Sequence, residues 1–217
     1  MFAKRIIKPE LLDHLPAEEA RPNLEDLVRI NTRFGGHSVL RKTLKQSIDP
    51  LADFTLLDIG AASGDTARTI RQLYPRAAIT CLDQNSVNLQ AAPHPKLLAD
   101  AFELPFQPGS FDYILCSLFL HHFTDDQVVE LLASFYATAK KGLFVFDLER
   151  HVWPYVFLPA TRLLFRWNAV TVHDGIVSVR ASFRAEELLA LARKAHIAGA
   201  EVRAHRPAFR LAMVATK

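Results

Sequence analysis

Apolar residues follow two kinds of pattern along the chain. Over 24–47, LEDLVRINTRFGGHSVLRKTLKQS, they recur at Leu24, Leu27, Val28 and Ile30 and again at Val39, Leu40 and Leu44. That spacing of three and four predicts two short helices with a break at Gly35-Gly36. From Thr55 onward, short apolar runs alternate with helical ones: TLLDIG, DTARTIRQLY, AAITCLD, SVNLQAA, KLLAD, FDYILCS, DDQVVELLASFYATA and GLFVFDL. Strands alternating with helices predict βαβ units and a parallel sheet. Pro75, Pro93, Pro95, Pro105 and Pro108 all fall where such a sheet needs loops. After Leu148 the pattern predicts an apolar, helical insertion, a helix over 185–195 and two strands, 200–205 and 209–216, which Pro207 separates tightly enough to pair antiparallel.

The ends of the predicted strands carry the candidate chemistry. In LLDIGAASGD an apolar strand ends in Asp58, followed by a loop with Gly60, Ala62 and Gly64 and by a helix opening at Asp65. A dinucleotide fingerprint would hold a pyrophosphate on that helix start, where the carboxylate of Asp65 repels it. An acid at the strand end suits a ligand bearing an ammonium and a sulfonium, so Asp58 favours S-adenosylmethionine over NAD. Gly60 and Gly64 let backbone approach the ligand, with Ala62 between them. The second strand ends at Asp83, placed to accept from ribose hydroxyls, with Gln84 beside it. The third brings Asp100 toward an adenine amino group, with Ala101 and Phe102 as a backbone donor and an apolar wall. The fourth places Cys116 and Ser117 at the carboxyl edge, where open α/β sheets bind ligands.

Taken together, DIGAASG, LDQN, ADAFELPF, FDYILCSLFLHHF and FDLER resemble, in order and spacing, the motifs of class I S-adenosylmethionine-dependent methyltransferases of the small-molecule, bacterial type. Ala62 replaces the middle glycine of that family's D-x-G-x-G-x-G. The resemblance implies a Rossmann-like, seven-stranded, mostly parallel sheet with helices on both faces and an antiparallel last strand. It implies one domain over 1–217: a helical N-terminal cap over 1–50, a cofactor-binding core over 51–149, an apolar insertion over 150–180, and a closing helix and strand pair over 181–217. The expected cofactor is S-adenosylmethionine and the expected reaction is methylation of a small, fairly apolar acceptor, at oxygen in preference to carbon or nitrogen. Methylation of RNA or protein, and a cofactor-binding regulator without chemistry, are the alternatives.

Composition narrows the partners. Half of the 217 residues are apolar and the net charge is +3, which excludes a disordered chain. The balance is +2 over 1–50, −6 over 51–149 and +7 over 150–217, with no arginine and aromatic interleaving in the basic part to suggest nucleic acid. Cys81 and Cys116 both sit in apolar runs and read as small core residues in a reducing, cytoplasmic setting. The start is basic but lacks a signal-peptide apolar stretch, and Glu10, Asp13, Glu18 and Glu19 argue against a transit peptide. Prolines and arginines interrupt 152–170, so no membrane span is expected. The sequence leaves the oligomeric state open.

Methyl transfer can run on orientation alone, so a general base is optional. The candidates for one are His121 and His122 after the fourth strand, and Glu149 and His151 after the fifth. A metal site built from His121, His122, Asp125 and Asp126 is not expected, because neighbouring side chains diverge and the acids suit a helix start. The aromatic insertion, with Trp153, Tyr155, Phe157, Phe165 and Trp167, is expected to cover the site, with Arg162 and Arg166 sharing one helix face.

Overall fold

Continuous apolar runs become strands buried on both sides. The computed structural model describes residues 2–217 and, at Asp13 and Ala17, the backbone alone. Its strands are β1 (Thr55–Ile59), β2 (Ala78–Asp83), β3 (Lys96–Leu98), β4 (Phe111–Ser117), β5 (Ala139–Leu148), β6 (Glu201–His205) and β7 (Arg210–Thr216), in one sheet of order β3-β2-β1-β4-β5-β7-β6. The pairs from β3 to β5 are parallel, and β7 runs antiparallel to both of its neighbours, as the strand pattern and the tight connection at Pro207 predict.

Because strand side chains alternate, Leu57, Ile59, Ile114, Leu143 and Met213 face one layer and Leu56, Ile79, Leu115, Phe144 and Ala212 the other. The first layer is filled by α5 (Asp125–Thr138) and α8 (Ala185–Lys194), through Leu131, Leu132, Phe135, Leu188 and Leu191. The second is filled by α2 (Gly36–Ser47) and α3 (Asp65–Leu73), through Val39, Leu40, Leu44, Ala67 and Ile70.

The remaining helices are α1 (Ala17–Arg33), α4 (Ser86–Leu89), α6 (Val152–Phe165) and α7 (Ala169–Ala181). The first starts earlier than the apolar spacing predicts. Glu18 and Glu19 in its first turn complement the helix dipole, and buried Ala20 and Asn23 anchor that turn despite Pro22. The stretch SVNLQAA makes only one helical turn, and β3 leads to β4 through turns without a helix. Among the described residues no helix is long and apolar enough to cross a membrane.

Candidate active site

The carboxyl ends of β1 to β5 open into a cavity of about 1480 Å³. Its floor begins at the turn after β1. Gly60 has φ +68°, and a Cβ there would lie 2.4 Å from Phe119, so glycine lets the loop close against that ring. Ala62 adopts φ +44°, the left-handed region in which an alanine is strained, at the position where the family motif has glycine. Gly64 has φ +74° and abuts Ala92 and Pro93, so it shapes the entry to α3 without reaching the cavity.

Asp83 holds this loop. Its two carboxylate oxygens accept from Ala62 N–H and Asn85 N–H, each at 2.8 Å, tying the glycine turn to the β2 end. Burial raises the Asp83 pKa, against the lowering effect of these and the Gln84 backbone donor. Asn85 then caps α4 by accepting from Val87 N–H at 2.9 Å. Asp83, Gln84, Asp100, Ala101, Phe102 and Ser117 all line the cavity, as do Gly60 and Ala62. Asp65 lines it too, its carboxylate 2.7 Å from Nε2 of His37.

Three of the expected ligand contacts lie elsewhere. Asp58 shares the strand face of Leu56, so alternation turns it under the loop, where it is 1% exposed and accepts from Ala67 N–H. Burial, with Asp83 and Asp65 nearby, pushes its pKa up to about 8, and Oδ2 has no hydrogen-bond partner. Cys116 is wholly buried in the core, where burial raises its thiol pKa, and Gly64 is displaced as described.

The expected bases separate as well. Glu149 is buried in a pair with Arg206, with Oε2 accepting from Nε at 3.0 Å, and His151 caps α6 by accepting from Trp153 N–H; neither lines the cavity. Both histidines of the 120–122 turn do, with rings stacked at 4.3 Å. The capping box of Thr124 and Gln127 fixes the start of α5 immediately after them.

His121 is 3% exposed, with Nδ1 2.7 Å from Asp147 and Nε2 3.6 Å from Glu10. Burial alone would lower its pKa, but Asp147 and Glu10 reverse this and raise it to about 10. Burial likewise opposes ionisation of Asp147 and Glu10, and the imidazolium between them holds both below the ordinary carboxylate range. Glu10 also accepts from the Ser178 hydroxyl. Ligand atoms of Glu10, His121 and His122 lie within 4.8 Å of one another. Asp125, considered with the histidines from sequence, instead pairs with Arg5 at 2.5 Å.

Stability should therefore depend on pH in a definite sense. The His121 contribution is complete below its ordinary 6.5 and is lost as pH rises toward about 10; Asp58 costs stability as pH rises from its ordinary 3.8 through about 8. Asp147 and Glu10 act the other way, losing their contribution as pH falls into and below the carboxylate range. Urea midpoints should thus fall from neutrality to pH ~10, and His121→Gln should flatten the part above pH ~8. A midpoint independent of pH over that span would contradict the assignment.

Sequence reasoning missed Glu10, Asp147 and Arg210. Arg210 opens β7 with 7% exposure on the cavity wall, where burial lowers its pKa to about 10 and Asn31 accepts from it at 3.4 Å. A carboxylate in the apolar run FVFDLER was a usable signal, since a buried acid requires a partner.

The other half of the cavity is largely apolar, with Asn23, Thr171, Asp174 and Ser178 among its polar groups. It is walled by Leu24 and Leu27 of α1 and its C-cap Phe34, by Val156, Phe157 and Leu158 of α6, and by Ile7 and Leu12 of the leading segment. Phe157 stacks edge-on with Phe34 at 4.8 Å; Phe165 packs on Trp167 at 5.2 Å and lies outside the cavity.

Residues 57–146, which contain the glycine turn, the acidic strand ends and the paired histidines, match the family described as methyltransferase domain. The likeness to a methyltransferase domain thus covers 90 of the 217 residues, under half of the chain. A demethylmenaquinone methyltransferase of Thermotoga maritima is 30% identical over 105 residues, 46% of each chain, so this chain spans under half of that relative. Among solved structures, the plantazolicin methyltransferase BpumL in complex with SAH superposes with TM-score 0.69 at 13% identity, covering 92% of this chain and 89% of that one. Human N-acetylserotonin methyltransferase in complex with SAM gives TM-score 0.60 at 21% identity, covering 94% of this chain and 61% of that one. The glycine turn and the acidic strand ends of the cavity lie in the matched segment, and the apolar walls from α1 and α6 lie outside it.

Proposed function

We propose that this chain transfers a methyl group from S-adenosylmethionine to a hydroxyl of a small, largely apolar acceptor. The observation that carries this reading is the division of the cavity: carboxylates and a glycine turn at the strand ends, apolar and aromatic walls opposite, and His122 at the junction. The cofactor supplies an activated methyl on a sulfonium. Asp65 and Asp83 disfavour a diphosphate in the same place, and the close approach allowed by Gly60 suits an extended ligand along the turn. Asp83 is the acceptor for ribose hydroxyls, Asp100 faces the base, and Arg210 is a buried cation on the cavity wall available to the cofactor's carboxylate.

The acceptor lies between α1 and α6, where exclusion of water and fixed orientation account for much of the rate. Two relatives are named for organic-molecule acceptors, demethylmenaquinone and N-acetylserotonin, which supports an acceptor that is not a macromolecule. His121, held as an imidazolium, is already protonated near neutrality and positions its neighbour. His122 is the residue assigned to receive the acceptor's proton.

Calorimetry with S-adenosylmethionine and NAD, followed by product masses from a panel of phenols, tests the reading. Binding of the first and not the second is expected, together with one added methyl on at least one phenol. His122→Ala should then lower kcat by roughly 10²–10⁴ with cofactor affinity unchanged. Unaltered kcat would leave orientation alone as the source of the rate, and NAD binding would overturn the cofactor assignment.

A further inference from the structure

Helix α6 is apolar on both sides, and its outward side has no partner among the described residues. Its inward side carries Phe157, Leu158, Thr161 and Phe165, which fill the space against Phe34 and Trp167 or face the cavity. Outward, at spacings of three and four, lie Val152, Val156, Pro159 and Leu163, flanked by Trp153, Ala160 and Leu164. Trp153 is 64% exposed, Leu163 92% and Leu164 76%. Isolated exposed leucines are ordinary, but seven neighbouring apolar positions on one helix face form a patch of the kind that marks an interaction surface.

Charge selects the occupant. From Arg150 to His173 the chain has no acidic residue, and Arg162 and Arg166 border the apolar face. A helix of 14 residues containing Pro154 and Pro159 is too short to span a bilayer, yet its composition suits one lying in the interface. Tryptophan at such a face sits at headgroup depth, and arginines there meet anionic headgroups. Trp153, Val156 and Ala160 also line the cavity, so the same face forms part of its mouth. Ile7, on the leading segment at that mouth, is 37% exposed.

We propose that the outward face of α6 docks on an anionic lipid bilayer, bringing the cavity mouth against the lipid. Docking stands on the helix alone. The acceptor class it adds, a lipophilic molecule drawn from the bilayer, rests on the methyl-transfer reading.

The two tryptophans make the test direct, because Trp167 is 3% exposed and contributes a constant background while Trp153 reports the interface. Vesicles of phosphatidylcholine with and without phosphatidylglycerol are titrated into the full chain, following emission and co-sedimentation. A blue shift and sedimentation with the anionic vesicles, weakened by salt, are expected. The double variant Leu163→Glu, Leu164→Glu should bind at least about tenfold more weakly at unchanged Tm, because neither residue lines the cavity and both are exposed. Arg162→Glu with Arg166→Glu should remove the preference for anionic vesicles. Failure of the unmodified chain to bind either vesicle overturns the proposal, as does equal binding by the leucine variant. A dimer in sedimentation velocity that the leucine variant dissolves would overturn it in favour of a second copy on the same face. Calorimetric cofactor binding in the absence of lipid is unaffected by any of these outcomes, so failure of docking and failure of the methyl-transfer reading are read separately.

Discussion

Asp147→Ala should destabilise the fold by about 3–5 kcal/mol at neutral pH, the cost of leaving a buried imidazolium without its nearest carboxylate. Asp147 is wholly buried, pairs with His121 at 2.7 Å and also accepts from the His121 and Leu148 backbone N–H groups. Glu10, at 3.6 Å, is too far to replace it. Urea denaturation at two pH values separates the ionic part from the rest. Near pH 10, where His121 loses its proton, the penalty should shrink toward the cost of the hydrogen bonds alone, two from backbone N–H groups and one from neutral His121. An equal penalty at both pH values would mean that His121 is neutral in the folded protein and that the proton assignment at this site is wrong.

The second large effect is expected in binding. Asp83→Ala removes the two acceptors that fix Ala62 and Asn85, and with them the carboxylate assigned to the cofactor ribose. At about 1.5–3 kcal/mol for each charge-assisted hydrogen bond, S-adenosylmethionine affinity should fall by roughly a hundredfold or more, read by calorimetry. Asp83→Asn separates the two contributions, since an amide keeps one acceptor oxygen while losing the charge. Its affinity should lie between those of the alanine variant and the parent chain. Unchanged affinity in the alanine variant would show that the ribose is held elsewhere.

The sheet and most of the strand ends that line its cavity were legible because both are written in local pattern. Apolar runs of strand length, with acids and glycines where they end, located the turn at Gly60, Asp83, Asp100 and Ser117 without knowledge of any tertiary contact. Strand alternation also explains the error at Asp58. A residue inside a strand belongs to one face or the other, and the parity of Leu56 takes Asp58 beneath the loop. The same alternation and depth put Cys116 in the core.

Glu10 left no local signal at all, because its meaning comes from His121, 111 positions later, and from Ser178. Nor did the sequence distinguish His121 from His122. Adjacent histidines look equivalent until β5 supplies Asp147 to one of them.

The leading segment is tied down by Asp174, whose two oxygens accept from Leu11 and Leu12 N–H, and by the bond from Ile6 N–H to the Arg180 carbonyl. It therefore carries one of the two acids that keep His121 charged, while its neighbours Ile7 and Leu12 wall the apolar half of the cavity. With the acceptor placed as proposed, its entry and the proton affinity of His121 should be coupled through one short stretch of backbone. A ligand that pushes this segment outward takes a negative charge away from His121 and makes its proton easier to release. A ligand that draws the segment in makes the proton harder to lose. Acceptor binding measured in buffers of different ionisation enthalpy should carry that signature as a proton exchanged with solvent.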